Sequence, residues 1–137
     1  MHSLRDAGLL SVLHSCTLLH TLDIRGCTSL SGASLRSIGL CIPLLHSLNL
    51  SFMDAVDDSL VVAILVHTPA LHSLHLERTA TTARGLLPVI AQRLHLLCLN
   101  VRCNPTERWD EQRLAEYKNS LDYAIQLQSD FEETGEK

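Results

Sequence analysis

The sequence predicts an α/β solenoid of four strand–helix units, with a parallel inner sheet of about four strands, an outer layer of helices and a C-terminal capping helix. Three observations carry this expectation. One phrase recurs as LLHTLDIRGC at 18–27, LLHSLNLSFM at 44–53 and ALHSLHLERT at 70–79, and LLCLNVRCN at 96–104 continues the series. The spacing is nearly constant, with 26 residues from Leu22 to Leu48, 26 from Leu48 to Leu74 and 25 from Leu74 to Leu99. Between the phrases lie segments with apolar residues at helical spacing, such as Leu60, Ala63 and Ile64, or Leu86, Val89 and Ile90. One strand and one helix cannot bury an apolar face alone, so successive units must stack.

Taken in order, the helices are expected from Asp6 or Gly8 to about Ser15, from Ser34 to Cys41, from Asp57 to His67 and from Thr82 to Arg93. Each opens near an Asp, Ser or Thr able to accept the orphan amide hydrogens of a first turn. Pro43 and Pro69 then break the chain just before the next strand phrase. Strand side chains alternate, so Leu22 and Ile24, Leu48 and Leu50, Leu74 and Leu76, and Leu99 and Val101 point into the core. Thr21, Asp23 and Arg25, Ser47, Asn49 and Ser51, Ser73, His75 and Glu77, and Cys98, Asn100 and Arg102 point out onto the concave surface. The architecture is a right-handed leucine-rich-repeat horseshoe segment over residues 1–104.

The two ends differ. Counting back 26 from Cys27 puts Met1 just after a strand position, so the array starts in mid-repeat. The strand at Thr21–Arg25 is then an exposed edge, to be covered by upstream repeats, by a partner chain or by self-association. Residues 105–128 are expected to form the capping helix, with Trp109, Leu114, Tyr117, Leu121, Ala124 and Ile125 on one face, and 129–137 an acidic flexible tail. From Pro105 onward there are nine acidic and four basic residues, which leaves residues 1–104 at about +1 within a total of −4.

Composition narrows the function. Hydrophobic residues at 46% exclude intrinsic disorder, and aromatic residues at 4% make the core aliphatic. A charge of −4 and a pI near 6.0 lack the basic footprint of a nucleic-acid binder. The longest apolar run, Leu60 to Val66, falls far short of the roughly 20 residues that cross a bilayer. Near the N-terminus, the Arg5-Asp6 pair and the lack of a small-residue cleavage site argue against a signal peptide. Five cysteines without CxxC spacing fit reduced thiols in the cytoplasm or nucleus.

Details of the phrase resemble the cysteine-containing subfamily of leucine-rich repeats found in the substrate-recognition domains of F-box proteins. The family's Cys three residues after the second strand leucine is matched by Cys27, then replaced by Met53, Thr79 and Asn104. Its helix-ending Cys is matched by Cys16 and Cys41, with Cys41-Ile42-Pro43-Leu44-Leu45 the fuller match and His67 in the next unit. Its Asp-x-Gly-Leu helix start is matched by Asp6-Ala7-Gly8-Leu9, and Asp57-Asp58-Ser59-Leu60 is similar. The resemblance spans roughly residues 1–104 and implies recognition of protein substrates for ubiquitination. The cysteines fade toward the C-terminus, and the F-box itself is absent from the 137 residues.

Catalytic chemistry finds little support. His20, His46 and His72 recur at one position and are expected to stack about 4.8 Å apart across neighbouring strands. Inheritance of the repeat phrase accounts for them, and a metal or pH-sensing ladder is the alternative, lacking a recurring carboxylate or Cys to complete a site. Cys16, Cys27 and Cys41 are expected to be small buried core residues. No phosphate loop, paired carboxylates or nucleophile elbow appears, so neither enzyme activity, a metal nor a cofactor is expected. The candidate partner-binding residues are Asp23, Arg25, Asn49, Phe52, His75, Glu77, Arg78, Asn100 and Arg102. Exposed Phe52 beside Arg78 and Arg25 points to a protein partner, since aromatics and Arg are enriched at interfaces. The sequence reads as a noncatalytic protein-interaction module, with a structural subunit of a large intracellular assembly as the alternative.

Overall fold

The computed structural model describes residues 4–90, 96, 98–101 and 124–125. In chain order the elements are α1 (Asp6–Ser15), β1 (Thr21–Asp23), α2 (Gly32–Cys41), β2 (Ser47–Asn49), α3 (Asp58–Leu65), β3 (Ser73–His75), α4 (Ala83–Ile90), β4 (Cys98–Asn100) and β5 (Ala124–Ile125). The strands form one parallel sheet in sequence order. Leu22 pairs with Leu48, Leu48 with Leu74 and Leu74 with Leu99, so the sheet register is the sequence repeat itself.

Side-chain caps mark the starts of α2, α3 and α4, whereas α1 opens at Arg5 without one. Ser31 accepts the Ser34 amide and Asp57 accepts the Leu60 amide, while the Thr82 hydroxyl accepts the Gly85 amide. Pro43 and Pro69 lie in the turns between helix and strand. The strand leucines and their partners two residues on are buried in one continuous core with Leu9, Leu13, Leu35, Ile38, Leu60 and Ile64 from the helices.

Adjacent units are also joined by polar staples. Asp6, first residue of α1, accepts the Ser31 amide at 2.8 Å and the Ser34 hydroxyl at 2.6 Å. Asp58, two repeats later and first in α3, does the same for the amide and hydroxyl of Thr82. A Cβ on Gly85 would overlap the Asp58 carboxylate, so glycine there makes room for the second staple. Hydrogen bonds from Ser34 and Ser31 hold the Asp6 carboxyl below its usual pKa.

Expectations for three groups of residues are corrected. Ala124 and Ile125, placed in the capping helix, are strand residues paired with Cys98 and Leu99. Ile125 follows Leu99 by 26 residues, so the repeat period recurs once more inside the segment assigned to the cap. The remainder of 105–128 and the tail at 129–137 lie outside the described residues. Cys16, expected in the core, is exposed and Cys41 is half-buried, while Cys27 is fully buried. The true repeat mates of Cys16 are Ile42 and Thr68, both 0% exposed. Cys16 differs because no described unit packs on the outer side of the first one. The same holds for Val12, 41% exposed where its mates Ile38 and Ile64 are at 0% and 1%. Ser51 and Asn100, expected on the open face, are buried at 2% and 7%.

Two outcomes follow from this packing. Burial raises the Cys27 pKa, so in the native protein a thiol probe should label Cys16 rapidly and Cys27 slowly, and Cys27→Ser should lower stability by about 1–3 kcal/mol. Comparable native labelling rates for the two thiols would contradict the burial described. The lowered Asp6 pKa stabilises the fold fully above its unfolded value of 3.8, and that contribution disappears as pH falls through the lower folded value. Denaturation midpoints measured across this window should fall more steeply for the natural chain than for Asp6→Asn.

Candidate functional site

The sheet face opposite the helices is built by alternation, and its residues are held unequally. Asp23 and Arg25 are exposed and form an ion pair at 3.5 Å. The Asp23 carboxylate also accepts the Arg25 amide at 3.3 Å, and Asn49 Oδ1 accepts the Ser51 amide at 3.0 Å. Both therefore brace their own strand ends, a local use that Asp and Asn side chains make of a nearby backbone donor. Ser51 turns inward because its hydroxyl accepts the Glu77 amide at 3.0 Å. His75 Nε2 lies 3.3 Å from the Ser73 hydroxyl, and both are half-buried, as is Glu77. Asn100 sits in β4 between β3 and β5, and its carbonyl accepts the Leu76 amide. Arg102 lies outside the described residues.

The rim beyond the strands carries the sharpest feature. Gly26, Phe52 and Arg78 are repeat mates, and all three adopt left-handed backbone, with φ of 75°, 62° and 55°. The chain needs that conformation to leave the strand and then bury the following residue, which is Cys27, Met53 or Thr79. Glycine adopts it freely; a residue with a Cβ is disfavoured there by roughly 1–2 kcal/mol. Phe52 and Arg78 hold it nevertheless, and both side chains remain in solvent, Phe52 at 42%. Phe52 donates its amide to the Glu77 carbonyl at 2.7 Å, which sets it beside the start of the Arg78 turn. Sequence reading singled out both residues by exposure and chemistry. The conformational signal was present as well, in Gly26 standing at the same repeat position.

No family model matches the sequence, and no curated protein matches it. Solved structures do. The tropomodulin C-terminal domain from Caenorhabditis elegans superposes with a TM-score of 0.65 at 15% identity, over 84% of this chain and 74% of that one. A chain of the yeast Rad7–Elc1 complex superposes with a TM-score of 0.57 at 18% identity, over 76% of this chain and 33% of that one. The chain thus spans about a third of the yeast chain's length. The fold is leucine-rich-repeat-like.

The histidine series forms a ring column at the strand entrances of this repeat. His20 and His46 stack with centroids 4.5 Å apart, and His46 and His72 are tilted at 5.5 Å. The backbone sets the column, because His46 and His72 donate their amides to the carbonyls of His20 and His46. Among the described residues, no group of three or more His, Cys, Asp or Glu is arranged to hold a metal ion.

The left-handed turn can be tested by inverting an ordinary preference. At most positions Ala is at least as stable as Gly, whereas at 52 and at 78 the Gly variant should exceed the Ala variant by about 1 kcal/mol. Denaturant unfolding of the four variants measures this, and equal stabilities would remove the strain from the account.

Proposed function

We propose that the chain is a noncatalytic protein-interaction module, a leucine-rich-repeat solenoid whose concave sheet face and adjoining strand ends receive a protein partner. The observation that carries this reading is the pair Phe52 and Arg78, an aromatic and an arginine kept in solvent on disfavoured backbone. Both residue types are enriched where interfaces derive most of their energy, and backbone strain concentrates at functional sites. Asp23, Arg25, Asn49, His75, Glu77 and Asn100 complete the proposed surface, with Asn100 contributing least because it is closed in, and Arg102 is assigned to it from the sequence alone. The yeast structural neighbour is itself in complex with another protein, which supports the general theme. The Cys27 and Cys41 matches to F-box repeats extend the reading to substrate recognition for a ubiquitin ligase. An intracellular setting fits the free thiols of Cys16, Cys27, Cys41 and Cys98.

A second reading is favoured by a different observation. Val12 and Cys16 are exposed where their repeat mates are buried, and β1 has no described strand on its outer side. Such a face suits a structural subunit seated in an assembly through its first unit.

Affinity measurements on the recovered partner separate the two readings. Phe52→Ala and Arg78→Ala should each weaken binding by about 1–3 kcal/mol, and Arg36→Ala on the helical side should leave it unchanged. Recovery of ubiquitin-ligase components with a turnover substrate supports the ligase extension. Binding that survives both rim substitutions but fails with Val12→Asp selects the structural-subunit reading instead.

A further inference from the structure

We infer that Phe52 and Arg78 form a two-point anchor for an acidic partner segment in which a carboxylate adjoins an apolar side chain. This inference rests on the interaction-module reading and adds the chemistry of what is bound.

Position and charge carry the argument. The two residues share one repeat position just beyond the paired strands β2 and β3, and the Phe52 amide bonds the Glu77 carbonyl at 2.7 Å, which brings the two turns side by side. Two adjoining side chains of a single peptide can therefore reach both. Among the described residues the recorded ion pair is Arg25 with Asp23, so the Arg25 charge already has a local partner. Arg78 forms no ion pair and no side-chain hydrogen bond among them, although it is exposed. A guanidinium presents a planar fork that fits one carboxylate with two parallel hydrogen bonds. A phosphate site collects several donors around the anion, whereas here the Arg25 guanidinium is held by Asp23 and the immediate repeat mate of Arg78 is an aromatic ring. The ring supplies apolar area rather than a second donor, so the complementary ligand is a carboxylate with an apolar neighbour.

The repeat gives an internal comparison. At the first of the three left-handed positions the chain carries Gly26, which satisfies the turn without strain. The turn itself asks for no ring and no guanidinium. What distinguishes the second and third positions is side-chain chemistry projected from the rim, and the two chemistries are complementary to one ligand.

The experiment pans a random peptide library displayed on phage against the full chain, then titrates synthetic copies of the recovered peptides. Recovered peptides should place Asp or Glu within two positions of an apolar residue. Phe52→Gly and Arg78→Gly, which suit the left-handed turn and so keep the fold, should each weaken those peptides about tenfold or more. Arg78→Glu should abolish their binding, and replacing the acidic residue of the peptide by Lys should restore it to the Arg78→Glu protein. Peptides that bind Arg78→Glu as tightly as the natural chain overturn the inference. So does recovery no greater than from a chain carrying both Gly substitutions. If the recovered peptides lack acidic residues yet weaken on Phe52→Gly, the anchor chemistry falls while the interaction-module reading stands. If whole-protein partners ignore both rim substitutions, that reading falls too.

Discussion

The burial of Leu22, Leu48, Leu74 and Leu99 in register is the constraint from which the rest of the structure descends. A three-residue strand and a helix of eight to ten residues cannot close a core, so each unit is stable only through its neighbours. That dependence fixes the period, because a slip of one residue would turn the leucines outward and Asp23, Asn49 and His75 inward. It also explains the staples. Asp6 and Asp58 each lie at the start of one helix and bond to the start of the next, adding polar register control where two helix entrances meet.

A repeat fold lets each position be compared with its own copies, and this is how surface chemistry can be told from structural need. Cys27, Met53 and Thr79 differ in chemistry but are all buried, so the position requires filling and little else. Their neighbours Gly26, Phe52 and Arg78 share one backbone conformation, which glycine alone adopts without cost. Two departures from glycine at adjoining repeats therefore point outward, to something other than folding. The stacked histidines are the opposite case. Their column follows from the strand register, since the amides of His46 and His72 bond to the carbonyls of His20 and His46, and the rings inherit the spacing of the ladder.

Much of the fold was legible because the leucine period and the strand register are the same fact. The helix start at Asp57 was legible from capping chemistry, and the core status of Cys27 from its place in the phrase, whereas α2 opens on a Ser31 cap rather than at the expected Ser34. What could not be read depended on neighbours in space. Cys16 looked like a core cysteine in the phrase, but its burial needs a unit on the outer side of α1. Ser51 looked like a surface serine by alternation, yet its hydroxyl is drawn in by the Glu77 amide across the sheet. The strand at Ala124–Ile125 was hidden because its segment also carries apolar residues at helical spacing, and pairing with Cys98 and Leu99 decides between the two periods.

The two unusual surfaces of the chain have different physical origins, and the difference bears on how each would engage a partner. Exposure at Val12 and Cys16 is core-type surface: their mates are buried by the same packing that joins every other pair of units. A partner there would extend the sheet and the core, with large apolar burial and little chemical selectivity beyond the shape of a repeat. Phe52 and Arg78 lie instead at strand ends, on backbone already fixed by the Phe52–Glu77 hydrogen bond and the burial of Met53 and Thr79. Their backbone entropy is spent in folding, so a ligand at the rim meets a preorganised backbone and has only the two side chains left to order. Selectivity then resides in the match between one ring, one guanidinium and the ligand. In the proposed reading, stability of the array and recognition at its rim are thus carried by different residues, and each can change without dismantling the other.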